Sequence, residues 1–288
     1  MATAGSAGRL GWLAAPTGLV LLLAFVTPMA LILRYSANEF VPGQLMRDAL
    51  TPANYVRFFT EPFFQRLFVT TLLVSFASAM LALLAGIPTA FALRRLSARW
   101  RSLLITLLLF PLLVVTVVRA AGWVAIFGDR GVLNSALTSL GLIAEPVTFL
   151  YTPTALIVAM GSALLPYMAL SIDSVLQSVP QNLEEAAMDL GAPPYAAFWH
   201  VTLPLILPGI VTGFVVSFIL SMDAYATPLL IGGTNVRMMS PMIYVQVSEL
   251  QNWPFASAIS VVLITTSILI SGFLTVSLNR RKWLAGQA

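Results

Sequence analysis

The side chains that could carry chemistry are concentrated in one stretch, EEAAMDLGAPPYAAFWHVTLP at residues 184–204, which holds three acids and the only histidine, His200. Acid-base catalysis or metal binding would be sought in such a cluster. The absence of cysteine excludes disulfides, thiolate zinc sites and Cys/His nucleophile pairs. There is no H-E-x-x-H or G-x-x-x-x-G-K-[ST] pattern, and the only lysine, Lys282, lies in the tail, away from a Ser-Lys dyad. We therefore expect no catalytic residue and no metal site, and ATP would have to bind to another subunit.

The composition is that of a membrane protein. Hydrophobic residues make up 59% of the chain, charged residues only 9%, and the mean hydropathy is +0.91, whereas about a quarter of the residues of soluble domains are charged. A pI near 9.8 would suggest nucleic acid as the partner of a soluble protein. In a membrane protein the basic residues are explained by topology. We therefore expect the lipid bilayer, and no nucleic acid, among the partners.

Six stretches are long and apolar enough to cross a bilayer as helices, which takes about 20 residues. They are 10–33, 67–93, 102–127, 146–172, 201–222 and 254–279, and only the third contains a charged residue, Arg119. None alternates with period two, as the strands of an outer-membrane barrel do. The apolar core of the first is too long for a signal peptide, and no clear cleavage site follows it. The sequence predicts an all-α, polytopic membrane protein with six transmembrane helices.

The placement of arginine orients these helices. The connection RRLSARWR at 94–101 carries four arginines, and the tail carries Arg280, Arg281 and Lys282. Such clusters stay in the cytoplasm. Six spans then put both termini in the cytoplasm. Loop 34–66 is an exception, with four arginines on the outer side and three acids that partly offset them, but longer loops weigh less in this rule.

With this orientation, residues 177–204 connect the fourth and fifth spans in the cytoplasm, and they predict two short helices. Asn182 is a candidate N-cap, with Glu185 three positions on and acids in the first turn, where the helix dipole favours them. Gly191 suits the left-handed position after a helix, and Pro193 with Pro194 can open a second helix at 195–203. The result is a helix, a sharp bend and another helix.

This loop also offers surface to a partner. Ala186 and Ala187 would allow close approach, and Phe198 with Trp199 would leave large apolar side chains on a cytoplasmic element. The alternative is an interfacial helix that rests on lipid headgroups.

The spacing of the loop resembles the cytoplasmic signature of the permease subunits of binding-protein-dependent ABC importers. That signature is E-A-A, three residues, G, nine residues, an aliphatic residue, one residue and L-P. The chain supplies Glu185, Ala186, Ala187, Gly191, Val201, Leu203 and Pro204 at these positions, with valine where isoleucine is commoner. The stretches LTPANYVRFFTEPFFQRLFVTTL at 50–72, LPYMALSI at 165–172 and NWPFASAIS at 252–260 are similar to the spermidine/putrescine branch.

The resemblance implies the type I ABC importer permease fold. Residues 1–66 would form an N-terminal transmembrane helix and an extracytoplasmic loop, residues 67–279 a five-helix core, and residues 280–288 a basic cytoplasmic tail. Within the core, the loop would couple the chain to a cytoplasmic ABC ATPase dimer, and Glu185 would cap and orient it. The implied coupling residues are Glu184, Glu185, Ala186, Ala187, Asp189, Gly191, Phe198, Val201, Leu203 and Pro204.

The resemblance also implies partners and a cargo. ATP and Mg would bind to the ATPase, so this chain would need no cofactor. A second, related permease chain and an extracytoplasmic solute-binding protein would complete an importer in a bacterial-type inner membrane. The branch implies a polyamine as cargo. Iron, thiamine, phosphonate, opine or amino-acid-like solutes are the alternatives.

Two ionisable residues are placed at membrane depth, Arg119 inside the third predicted span and Asp223 directly after the fifth. At mid-helix such a charge costs about 2.5–3.5 kcal/mol. In straight helices Arg119 lies about 26 Å from Ser102 and Asp223 about 27 Å from Leu205, and hence at similar depth. We expect them to face the bundle interior, either paired or along the translocation pathway with Trp123 and Tyr225; a role in helix packing alone is the alternative. Asp173, near the inner end of the fourth span, is expected to be solvated or to act as a cap, and a gate is the alternative.

Two other functional classes compete with an importer. An intramembrane hydrolase is disfavoured by the missing catalytic patterns. A passive channel or scaffold would explain six spans but not the signature of the loop. A requirement for ATP in transport separates the importer from both.

Overall fold

The structure, a computed structural model, describes residues 5–180 and 182–285, with side chains over 18–180 and 182–276. It is 77% helical, since apolar runs in a bilayer must satisfy their backbone hydrogen bonds within the segment. The one sheet in the described part of the chain is a two-stranded antiparallel hairpin. The prediction of a helical membrane fold is therefore confirmed, with the hairpin as a local addition.

The helices and the hairpin alternate with short connections along the chain. In chain order they are α1 (Gly5–Ser36), β1 (Glu39–Val41), β2 (Gln44–Arg47), α2 (Ala53–Thr60), α3 (Pro62–Arg95), α4 (Ala98–Leu113), α5 (Thr116–Phe127), α6 (Val132–Ser139), α7 (Pro153–Leu176), α8 (Asn182–Asp189), α9 (Pro194–Ala197), α10 (Leu203–Met222), α11 (Met239–Ser248) and α12 (Trp253–Ala285). Two π-helical turns, Phe198–Thr202 and Pro228–Gly232, precede α10 and α11.

Among the residues that the structure describes, five helices are long and apolar enough to cross a membrane, judged by length and composition. They are Gly18–Ser36 of α1, Pro62–Arg95, Pro153–Leu176, Pro194–Met222 and Trp253–Val276. They confirm five of the six predicted spans, with shifted ends. The fourth span begins at Pro153 and not at 146, because Thr152 accepts a hydrogen bond from the Ala155 amide at 3.3 Å and so caps α7.

The third predicted span, 102–127, is wrong as one straight helix. The axis bends by 99° between α4 and the following helices, and the two halves make a sixth span only if they count as one broken span. Val114 and Val115, at the break, have extended ψ angles of 129° and 134°. Pro111 removes a hydrogen bond from the last turn of α4, and consecutive valines favour extended backbone. The depth predicted for Arg119 assumed a straight helix, so that prediction is also wrong.

The chain divides into two compact units, one made of the chain up to Phe64 with Ile243–Ile264, the other of Gln65–Met242 with the chain from Thr265. In the first unit, the Asn54 side chain donates to the carbonyls of Ser36 and Asn38, each at 2.9 Å. The Arg57 guanidinium lies 4.6 Å from the centre of the Phe255 ring. These contacts hold the end of α1, the hairpin and α2 together, and dock α2 on the start of α12.

The second unit is built on the close packing of α7 and α10. A Cβ at Gly209 would lie 2.7 Å from the Ser171 carbonyl oxygen, and one at Gly213 would lie 2.9 Å from the Met168 sulfur. Small residues let membrane helices approach this closely, where van der Waals contact drives association. The packed pair is the rigid element that positions both the loop after α7 and the segment after α10.

Candidate functional site

The first half of the loop 177–204 forms the predicted helix, α8, and ends at the predicted glycine. Gly191 has a φ of +92°. Its amide donates to the Met188 carbonyl at 2.9 Å, and the Ala192 amide donates to the Ala187 carbonyl at 3.0 Å. This pair of bonds is the Schellman motif, which reverses the chain after a helix. The candidate cap Asn182 is already the first helical residue, and its neighbour 181 lies outside the described residues.

The sequence predicts a separate short helix for the second half of the loop. In the structure this half is instead the start of the next span. Helical structure runs without a break over Pro194–Met222. The π-helical turn Phe198–Thr202 lies just before Pro204, and the Leu203 amide donates to the Phe198 carbonyl five residues back. Since Pro204 has no N–H to donate, the wider turn lets the helix continue past it. A displacement of the loop therefore acts directly on α10.

α8 is held against the base of α10 by Glu184. Its Oε2 accepts a hydrogen bond from the Thr202 hydroxyl at 3.3 Å, and Thr202 is buried. The Phe198 ring lies 5.7 Å from the Phe91 ring of α3. Glu185, the residue expected to orient the element, is exposed and makes no hydrogen bond within the described part of the chain. Glu184 therefore fixes α8 within the chain, and not the expected residue Glu185. The role of Glu185 stays a prediction.

Three large apolar side chains of the loop are exposed. Leu190 is 90% exposed, Tyr195 71% and Trp199 61%. Ala186, beside them in sequence, is also exposed. Large apolar side chains at this exposure, on an element whose other face is fixed, mark a surface that binds a protein or a lipid interface. We call Leu190, Tyr195 and Trp199 the apolar surface of the loop.

The base of the loop contains an ion pair that corrects one prediction. Asp173 is 3% exposed, and its Oδ2 accepts hydrogen bonds from Arg101 Nη2 and Gln177 Nε2, both at 2.7 Å. Solvation of Asp173 was therefore the wrong expectation. The carboxylate is buried because Arg101, 72 positions earlier in the chain, reaches it from the first turn of α4. A charged partner is the usual condition for burying a carboxylate.

A cavity of about 430 Å³ lies where α4 breaks and α10 ends. Arg119, Asp223 and Tyr225 all line it, together with Leu112, Val114, Thr116, Met160, Ala163, Leu164, Tyr167, Leu220, Ser221, Ala224, Ala226 and Thr227. Trp123 does not; its ring stacks on Phe127 with 4.9 Å between centres. Three of the four candidate pathway residues thus share one cavity. Trp123 instead packs against the core cluster around Phe127.

Arg119 and Asp223 do not pair directly, since no nitrogen of the guanidinium lies within 4.0 Å of the carboxylate. Arg119 Nη1 donates instead to the Pro111 carbonyl at 3.1 Å. That carbonyl lies in the last turn of α4, where no intrahelical donor remains for it. Arg119 therefore caps the broken helix, and the exposed Asp223 carboxylate keeps its full capacity to accept hydrogen bonds from a solute.

Residues 67–283 match the family described as the binding-protein-dependent transport system inner membrane component. The chain belongs to this family and is a multi-pass permease subunit of an ABC importer. It is 31% identical to the spermidine/putrescine transport system permease protein PotB of Haemophilus influenzae over 212 residues, which cover 74% of each chain. It is 29% identical to PotB of Escherichia coli over 246 residues, 85% of this chain and 89% of that protein.

A solved structure has the same fold. The bacterial alginate ABC transporter in complex with an alginate pentasaccharide-bound periplasmic protein has a chain that superimposes with a TM-score of 0.75 at 19% identity. The alignment covers 92% of this chain and 93% of that one. At this identity the likeness concerns architecture, so the cargo has to be argued from this chain and its sequence relatives.

Sequence reasoning missed two parts of the site. The ion pair between Arg101 and Asp173 joins residues that are far apart in sequence, and Tyr167 joins the cavity from α7. Arginines on a loop indicate topology, and a tyrosine in a span indicates packing, so neither carried a specific signal. Among the described residues, no three acids or histidines lie close enough to hold a metal ion.

Proposed function

We propose that the chain carries polyamines such as spermidine and putrescine through the inner membrane of a bacterial-type cell, driven by ATP hydrolysis on a separate subunit. The transport function of the Haemophilus and Escherichia relatives supports this cargo. The single observation that carries the coupling mechanism is the geometry of α8. Glu184 fixes the helix at Thr202, Gly191 turns the chain at its end, and the apolar surface of the loop that follows is exposed.

A cytoplasmic ABC ATPase dimer, with ATP and Mg, is the partner of the apolar surface of the loop. Tryptophan, tyrosine and other large apolar side chains that become buried on binding are typical of the centre of a protein interface. The arginines at 94–101 adjoin this loop, and the positive-inside rule supports a cytoplasmic position for the loop and for both termini. Closure of the ATPase pair would push on α8, and the continuous helix Pro194–Met222 would carry that displacement into the membrane.

A second, related permease chain and an extracytoplasmic solute-binding protein complete the importer. The family description itself includes dependence on a binding protein. The transported solute would enter between the two permeases from the side opposite to α8. In this chain that side holds the ends of α10 and the broken helix, where the cavity lies.

The cavity is the proposed translocation site in this chain. Broken helices meet at solute sites in many transporters, because their ends supply unpaired backbone groups. The Asp223 carboxylate attracts a protonated amine, and the rings of Tyr167 and Tyr225 can bind it through cation–π contact. Arg119 already donates to the Pro111 carbonyl, so its charge is partly engaged at the rim of the same cavity.

A second cargo class within the same importer type is favoured by Arg119. A cavity lined by both a guanidinium and a carboxylate suits an amino-acid-like solute, whose carboxylate and ammonium groups would bind at separate places. This alternative changes the solute and leaves the coupling mechanism as described.

The test is purification of the tagged chain from its own host in mild detergent, with identification of the retained proteins, followed by reconstitution into vesicles. ATP-dependent uptake of labelled putrescine, competed by unlabelled spermidine and absent with a non-hydrolysable ATP analogue, is the expected result. Recovery without an ATPase, or uptake without ATP, would overturn the importer mechanism. Binding-protein-stimulated ATP hydrolysis without putrescine or spermidine uptake would overturn the cargo and favour the amino-acid-like solute.

A further inference from the structure

Three helix ends of the second unit meet at the start of the loop. Arg101, in the first turn of α4, contacts Asp173 near the end of α7 at 2.7 Å. Arg94, in the last turn of α3, donates from Nη2 to the Val179 carbonyl at 2.9 Å. Gln177 donates a hydrogen bond to the same carboxylate oxygen of Asp173 as Arg101 does. The segment that leads from α7 into α8 is thereby tied to two other helices.

Stability alone does not account for the burial of this ion pair. The Asp173 side chain is 4% exposed, and its Oδ1 has no partner within the described part of the protein. Removing the Asp173 carboxylate from water offsets much of its attraction to Arg101, whose side chain is 31% exposed, and apolar residues of similar volume often stabilise a fold as well as a buried pair does. In the pairs Arg34–Asp48 and Arg57–Glu61, by contrast, every side chain is at least 43% exposed.

One helix connects the ion pair to the cavity. From Arg101, α4 runs along α7, and Leu104, Ile105 and Leu108 pack in a cluster that contains Ala169 of α7. At its far end α4 reaches the break, where Leu112 lines the cavity. α4 has 16 residues and is therefore about 24 Å long. A movement at its base can reach the cavity through a single rigid element.

We propose that Arg101 and Asp173 form a coupling joint, which makes α4 follow α7 when the ATPase displaces the loop, so that the cavity changes with each ATP cycle. The inference rests on the proposed function, because it needs an ATPase that moves α8. Arg101 and Asp173 are positioning residues in this mechanism: they act on the cavity through α4 and do not touch the solute. A pair that only holds the bundle together would leave the number of solute molecules moved per ATP unchanged.

The test compares Arg101→Gln, Asp173→Asn and the double variant in the complete complex purified from the host. Arg99→Gln is the matched control, since Arg99 lies two positions away, is exposed and forms no ion pair within the described residues. Two ratios are measured: ATP hydrolysis with and without the host's own loaded binding protein, and labelled putrescine moved per ATP. Retention of the ATPase and the melting temperature of the complex are followed in parallel.

We expect each single variant to lower both ratios by about 5- to 150-fold, the range of typical coupling between distant sites. The double variant should be no worse than either single one, because both changes remove the same link. Arg99→Gln should behave as wild type. ATPase retention should stay at the wild-type level in all variants, since the apolar surface of the loop is untouched.

Other outcomes separate the inference from the proposed function. A wild-type complex whose ATP hydrolysis does not respond to the loaded binding protein would overturn the proposed function, and the joint with it. A responsive wild type with unchanged ratios in all variants would overturn the joint alone. The joint would also be overturned if the variants melted at a lower temperature and assembled less well, but moved as much putrescine per ATP as wild type. The pair would then serve packing only.

Discussion

The substitution Gly191→Ala tests the backbone turn that positions the apolar surface of the loop. A Cβ at this position would meet no atom within 4 Å, so the change introduces no clash. Its whole effect comes from the φ of +92°, which L-residues other than glycine adopt at a cost of roughly 1–2 kcal/mol. Such a cost changes an equilibrium by a factor of about 5–30. We therefore expect the affinity of the permease for its ATPase to fall by that factor.

The assay is titration of the detergent-purified chain with the ATPase, by surface-immobilised binding. Gly141→Ala is the matched control, because Gly141 has a φ of +70° and equally open surroundings in a different loop. Asn tolerates left-handed backbone, so Gly191→Asn should lie between Gly191→Ala and wild type. Wild-type affinity in Gly191→Ala would refute the reasoning. Equal losses in Gly191→Ala and Gly141→Ala would show that any strained loop lowers the affinity, which also refutes it.

Three further predictions concern other parts of the site and fold. Leu190→Asp should weaken ATPase binding by about 2 kcal/mol, roughly 30-fold, while Leu140→Asp, at a residue 71% exposed in another loop, should not; equal binding by both would exclude Leu190 from the interface. Asp223→Asn should raise the KM for putrescine uptake about tenfold, from a lost charged hydrogen bond of roughly 1.5 kcal/mol, without changing ATPase retention; an unchanged KM would remove Asp223 from the solute site. Asn252→Ala should lower the free energy of unfolding by about 1 kcal/mol, since Asn252 Oδ1 accepts from the Phe255 amide at 3.1 Å and caps α12; an unchanged melting temperature would contradict that cap.

The parts of the site that follow local rules could be predicted from the sequence. α8 ends at Gly191 because a glycine after a run of helix formers takes the left-handed turn without strain. The membrane helices follow from runs of about 20 apolar residues. Both features depend on residues that are neighbours in sequence, so spacing alone carries the information.

The parts that depend on tertiary contact could not be predicted in this way. The break at Val114 follows an apolar stretch with a single proline, Pro111, and other prolines such as Pro166 lie inside continuous helices. Burial of Asp173 depends on a partner from another helix. The continuous helix through Pro204 depends on a π-helical turn that widens the backbone. In each case the same residues are compatible with two local structures, and packing decides between them.

Arginine in this chain does more than set topology. Arg34 donates to the Ala49 carbonyl at 2.9 Å, as Arg94 and Arg119 do to the carbonyls of Val179 and Pro111. The Pro111 carbonyl lies at the break after α4 and lacks an intrahelical donor, and a bilayer offers it little water. The planar guanidinium has five N–H donors and is weakly hydrated, so it can satisfy a carbonyl and still hold a second partner, whereas an ammonium is compact and strongly hydrated. Topology counts lysine and arginine alike, yet of fifteen basic residues only Lys282 is a lysine. At the Pro111 carbonyl, where the helix is broken, a lysine would supply the charge without the planar set of donors.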